Sequence, residues 1–121
     1  MTTKKILIVD DCQTELLHLK KILEDAGYQT ITANSGDEAI KKIRQERPNL
    51  VLLDIVMEGK DGYHTCREIH KEPTTSDLPI VMVTSKTQAA DRMWASKQGA
   101  SGFISKPYTN EQILDQVKVL A

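Results

Sequence analysis

Four times along the chain a short apolar run ends in a side chain that can do chemistry. Ile6-Leu7-Ile8-Val9 leads into the acid pair Asp10-Asp11, and Leu50-Val51-Leu52-Leu53 leads into Asp54. Ile80-Val81-Met82-Val83 leads into Thr84-Ser85, and Phe103-Ile104-Ser105 into Lys106-Pro107. Carboxylates brought together repel, each raising the pKa of the others, unless a cation joins them. An all-oxygen donor set selects a hard divalent ion, and Mg²⁺ is the natural candidate: held by a few carboxylates, it keeps positions open for water and phosphate oxygens. With a hydroxyl and an ammonium beside the acids, the set suits phosphoryl transfer. A carboxylate oxygen attacks phosphorus in line, and the charge on the equatorial oxygens spreads onto the cation, Lys106, Thr84 and backbone amides. The acyl phosphate formed is labile, so the change is reversible.

Each residue has a plainer use when taken singly. Asp10 and Asp11 could cap a helix, Asp54 could open a turn, Thr84 could be a β-branched strand end and Lys106 a surface charge. The chemical reading therefore depends on the elements that would bring them together.

Those elements are legible from periodicity. The apolar runs do not alternate, as expected of strands buried on both faces. Leu16, Leu19, Ile22, Leu23 and Ala26 fall at helical spacing before Gly27, predicting a helix over 14–26. Tyr28 to Ala33 alternates like a strand. Ser35 with Glu38 has capping-box spacing ahead of Ala39, Ile40 and Ile43, and Pro48 closes that helix. A loop with Gly59 and Gly62 precedes a helix over 63–71. A strand from Ile80, a helix over 89–98 stopped by Gly99, and a short strand over 102–105 follow. Thr109 with Gln112 repeats the capping-box spacing and starts a helix that turns Ile113, Leu114, Val117 and Leu120 inward. Five strands, each followed by a helix, predict an α/β fold with a doubly wound, parallel sheet. In the order 2-1-3-4-5 the first and third strands are neighbours, and the three acids meet at the switch point where such sheets bind ligands.

Composition limits the rest. The chain has 121 residues and a net charge of −1, which predicts one domain over 1–121 and gives no basic face for nucleic acid or a membrane surface. Only four apolar residues separate Lys5 from Asp10, too few for a signal peptide or a span. Cys12 and Cys66 are in no Cys-x-x-Cys spacing, which predicts free thiols, small packing roles and a cytoplasmic setting. His18, His64 and His70 read as surface or boundary residues without carboxylate or cysteine neighbours at ligand spacing. The Lys20-Lys21 and Lys41-Lys42 pairs read as solvated helix faces, and Met57 as a loop anchor.

In its ordered set of motifs the whole chain resembles the receiver domain of two-component response regulators. The resemblance implies that Asp54 is the phosphoacceptor, that Asp11 ligates Mg²⁺ directly and Asp10 through water, and that the Val56 carbonyl completes the protein's share. It implies that Thr84 hydrogen-bonds the phosphoryl group, that Lys106 pairs with it, that Phe103 is the aromatic switch and that the Lys106-Pro107 bond is cis. A histidine kinase would supply the phosphoryl group. A downstream protein would read the face made by the fourth helix, fifth strand and fifth helix. The chain departs from the family in Met57-Glu58-Gly59-Lys60-Asp61-Gly62, which carries Glu58 where proline is usual. The stretch from Lys86 to Trp94 with Lys97-Gln98-Gly99-Ala100 is most similar to single-domain regulators of twitching motility and type IV pili. The chain ends at Ala121, directly after the last helix, so signalling by protein contact is expected unless the sequence is an excised fragment; a monomer is expected as well.

Two other readings compete. An aspartyl phosphatase would share the acid, Mg²⁺ and lysine, but such enzymes place a second acid two residues after the nucleophile, where this chain has Val56. A flavin or nucleotide carrier would suit the topology, yet no glycine-rich phosphate loop follows any strand.

Overall fold

The computed structural model describes residues 3–121. Strands β1 (Lys5–Val9), β2 (Gln29–Ala33), β3 (Leu50–Leu53), β4 (Ile80–Thr84) and β5 (Gly102–Ser105) alternate with helices α1 (Gln13–Asp25), α2 (Gly36–Glu46), α3 (Gly62–Lys71), α4 (Ala89–Lys97) and α5 (Asn110–Leu120). The sheet is parallel throughout, in the order β2-β1-β3-β4-β5. Successive strand residues point to opposite faces, and both faces are covered. Ile6, Ile8, Leu50, Leu52, Val81, Val83 and Ile104 pack with Leu16, Leu19 and Leu23 of α1 and Ile113 and Val117 of α5. Leu7, Val9, Val51, Leu53, Ile80 and Met82 pack with residues of α2, α3 and α4, among them Ile43, Cys66, Ile69 and Ala95. Two cores explain why the strands read as unbroken apolar runs. Each fully buried Leu or Ile contributes about 1.5–3 kcal/mol by leaving water.

Helix boundaries follow local chemistry. Ser35 Oγ accepts from the Glu38 amide at 3.1 Å, but the Glu38 carboxylate reaches back past Ser35 to accept from the Asn34 amide at 3.0 Å, so the box does not close. Thr109 and Gln112 close theirs in both directions, at 3.2 and 2.8 Å. Helix α3 begins one residue before its expected start because Asp61 caps it, accepting from the His64 amide at 2.9 Å. Gly27 and Gly99 stop α1 and α4 with φ of 94° and 95°, in the left-handed region that a side chain disfavours. The short 3₁₀ turn Pro73–Thr75 carries no apolar periodicity, and its one signal is the proline at its first position. No helix among the described residues is long and apolar enough to cross a membrane.

Three sequence expectations need correction. Cys12 is exposed rather than a packing residue, whereas Cys66 is fully buried and burial pushes its thiol up to about 12. His64 is not without a carboxylate: its Nδ1 lies 2.9 Å from Asp61 Oδ1. His70 sits one helical turn after Cys66 with Nδ1 3.9 Å from the sulfur, and its Nε2 lies 2.8 Å from the Leu78 carbonyl oxygen. Both pairs have helical spacing, a signal present in the sequence.

Candidate functional site

Register brings the strand ends together. Val9 is opposite Leu53, so Asp10 and Asp54 leave adjacent strands side by side, and the Asp54 amide donates to the Val9 carbonyl at 3.0 Å. Thr84 is opposite Ser105, which places Lys106 beside it, with the Lys106 amide donating to the Thr84 carbonyl at 2.9 Å. Asp10, Asp11 and Asp54 each present an oxygen, and these oxygens lie within 4.8 Å of one another. Asp10 and Asp54 are buried and Asp11 is exposed.

The ammonium of Lys106 closes one side of this cluster. Its Nζ is 2.9 Å from Asp10 Oδ2 and 3.2 Å from Asp54 Oδ2. Backbone amides hold other oxygens: Cys12 donates to Asp10 Oδ1 at 2.9 Å, Val56 to Asp54 Oδ1 at 3.3 Å, and Glu58 to Asp11 Oδ2 at 3.3 Å. Burial is the main force raising the Asp10 pKa above the ordinary carboxylate value, with the charge of Asp54 adding to it. The Cys12 amide and Lys106 oppose that rise without cancelling it. Desolvation therefore outweighs the like-charge repulsion expected from the sequence. Burial also works against the Lys106 charge, but the hydrogen bond to Asp10 and the charges of Asp54 and Asp10 outweigh it, leaving Lys106 more basic than a free lysine.

This donor set fits a hard divalent cation. It is oxygen-only and anionic, and its two buried acids are neutralised by a single lysine, so positive charge is still wanted on the exposed Asp11 side. Val56 and Glu58 lie on the loop that returns over Asp11 and are exposed, while Met57 between them is buried, as expected of a loop anchor.

Thr84 is fully buried and its Oγ1 accepts from the Lys86 amide at 3.2 Å. Phe103 is half-buried on β5 with the Arg92 guanidinium 4.6 Å from its ring centre, and Arg92 also donates to Ser105 Oγ at 3.0 Å. Trp94 on α4 is 55 % exposed, more open than a packing residue. The Lys106-Pro107 bond is cis. Sequence reading did not find Arg92 over Phe103, nor the bond from Tyr63 OH to Asp91 Oδ1 at 3.2 Å that joins α3 to α4. The partners of that second pair are far apart in sequence and share no periodic pattern.

Residues 6–118 match the family described as response regulator receiver domain. The chain belongs to that family. This receiver is 39 % identical to protein PilH of Pseudomonas aeruginosa over 116 residues, which is 96 % of each chain. It is 38 % identical to the probable transcriptional regulator ycf27 of Cyanophora paradoxa, where it spans 48 % of the relative's length. Its fold superposes on the chemotaxis protein CheY4 of Vibrio cholerae with a TM-score of 0.94 at 27 % identity, covering 99 % of this chain and 100 % of the other. A receiver is a phosphoacceptor regulator and not an enzyme that turns over a separate substrate, so this chain is a phosphorylation switch with an acidic site at Asp10, Asp11 and Asp54. The phosphatase and flavin readings fall with that result.

Proposed function

We propose that the chain acts as a single cytoplasmic receiver domain over residues 1–121, taking a phosphoryl group from a histidine kinase onto Asp54 and signalling by protein contact in motility or chemotaxis. The observation that carries this reading is the convergence of three carboxylates and Lys106 at the ends of neighbouring strands. The likeness to the chemotaxis protein CheY4 supports the pathway class. Asp54 attacks phosphorus as the P–N bond of the phosphohistidine breaks, and its new oxygens are met by Lys106 Nζ, the Thr84 hydroxyl and the Val56 amide. Asp10, Asp11, Asp54 and the Val56 carbonyl would hold Mg²⁺, which when bound supplies positive charge for the phosphoryl oxygens.

Metal binding tests the site. Mg²⁺ binds only the folded cluster, so at a hundred times its Kd it adds about 2.7 kcal/mol, raising Tm on the order of 10 °C for a domain of this size. Asp11→Ala is expected to lose most of that response and Glu58→Gln to keep it. Glutamine retains the backbone amide that Asp11 accepts from, which a proline would remove. Thermal melts with and without Mg²⁺ measure it, and equal responses in all three proteins would contradict the ligand assignment.

The downstream partner is proposed to read the face of α4, β5 and α5. A phosphoryl group beside Thr84 draws its hydroxyl forward, and Phe103 fills the space behind it. That move gains about 1–2 kcal/mol of apolar burial and gives up about 0.5–1 kcal/mol of contact with Arg92, enough to shift a population but not to lock it. Beryllofluoride with Mg²⁺ is therefore expected to perturb amide shifts across α4, β5 and α5 and the emission of Trp94. In Thr84→Ala and Phe103→Ala those remote changes should shrink by at least half while the mimic still binds. Unchanged responses in both variants would break the coupling from Thr84 to Phe103.

A further inference from the structure

The loop from Val56 to Asp61 connects β3 to α3 and contains no proline to restrict its backbone. It nevertheless has to hold two amides against the acid cluster, Val56 on Asp54 Oδ1 and Glu58 on Asp11 Oδ2, both at 3.3 Å. On the other side of the loop stands Lys60. Its Nζ lies 2.8 Å from Asp37 Oδ1 on α2 and 2.7 Å from Glu68 Oε2 on α3, and its side chain is only 23 % exposed. The stem lies against Gly36 at the start of α2, where an added Cβ would be 3.3 Å from both Cβ and Cδ of Lys60. One side chain thus ties the loop to two helices that flank the site without touching the carboxylates itself.

We propose that Lys60 is the positioning residue of the metal-binding loop, holding the Glu58 amide and the Val56 backbone in place and thereby setting Mg²⁺ affinity. The inference rests on the reading of Asp10, Asp11 and Asp54 as the metal site. An exposed ion pair contributes little to stability, so the role of the tether lies in local order rather than in the global free energy. Charge and position predict opposite signs here. Removing a cation near an anionic cluster strengthens binding of a divalent ion, whereas releasing the loop weakens it.

Calorimetric titration with Mg²⁺ at 0.15 M salt separates them. Lys60→Met, which keeps the stem and removes the charge, is expected to bind Mg²⁺ roughly tenfold more weakly, as loss of a group that orients ligands does. Lys60→Arg should stay within about twofold of wild type, since it restores both carboxylate contacts. Hydrogen exchange at the Glu58 amide should quicken in Lys60→Met while core amides keep their protection. If Lys60→Met fails to fold, Lys60→Gln, which also removes the charge and is too short to reach both Asp37 and Glu68, releases the same tether and should show the same loss. Affinity equal to or tighter than wild type in whichever of these variants folds would overturn the role of Lys60, with Asp11→Ala still losing binding. Wild-type affinity in Asp11→Ala, or no binding by the wild type, would overturn the site reading itself and this inference with it.

Discussion

Lys106→Met is expected to destabilise the Mg²⁺-free protein by about 3 kcal/mol at neutral pH, the usual cost of leaving a buried charge without its partner. The side chains of Lys106, Asp10 and Asp54 are 17, 3 and 10 % exposed, so water screens this contact poorly. Without the ammonium, Asp10 and Asp54 face each other across one gap, and each has only a backbone amide to neutralise it. The deficit should depend on pH. The Asp10 pKa is raised in the folded protein, so between its unfolded and folded values the native state holds more protons, and its contribution to stability falls as pH rises through that window. Removing Lys106 raises the folded value further and widens the window. The difference between wild type and variant is therefore smallest in acid, where Asp10 is neutral, and grows toward neutrality. Added Mg²⁺ should reduce it. Urea unfolding from acid to neutral pH measures this, and identical curves for the two proteins at neutral pH would show that the bridge carries no stability.

The parts of this molecule that were readable in the sequence are those governed by local chemistry. Unbroken runs such as Leu50 to Leu53 mark strands because both faces of the sheet are covered, and Gly27 and Gly99 mark helix stops because only glycine enters the left-handed region freely. The strand ends Asp10, Asp54, Thr84 and Lys106 were legible for the same reason, since a parallel sheet puts all its carboxyl ends on one side. What escaped depends on distance in space. Lys60 reaching Asp37 and Glu68, Arg92 lying over Phe103 and Tyr63 bonding to Asp91 all join separate elements, and no periodicity in one element announces a partner in another. The cause of the Asp10 shift was misjudged likewise, because burial of a carboxylate is set by what packs around it and not by the acids next to it in sequence.

The largest effect expected is the complete loss of phosphoryl transfer in Asp54→Asn. Asp54 is the acid held directly against both Lys106 and the Val56 amide, and these are the groups that can receive the charge of a transferred phosphoryl. Asp10 shares Lys106 but is the more deeply buried, and Asp11 is exposed and makes no ion pair with Lys106. An amide in place of the carboxylate keeps the size of the side chain and removes the proposed nucleophile. The deciding measurement is intact mass after incubation with acetyl phosphate, with and without Mg²⁺, for wild type and Asp54→Asn. Wild type should gain the mass of one phosphoryl group only when Mg²⁺ is present and Asp54→Asn should gain none, whereas Mg²⁺-dependent labelling of Asp54→Asn at the wild-type rate would contradict the assignment.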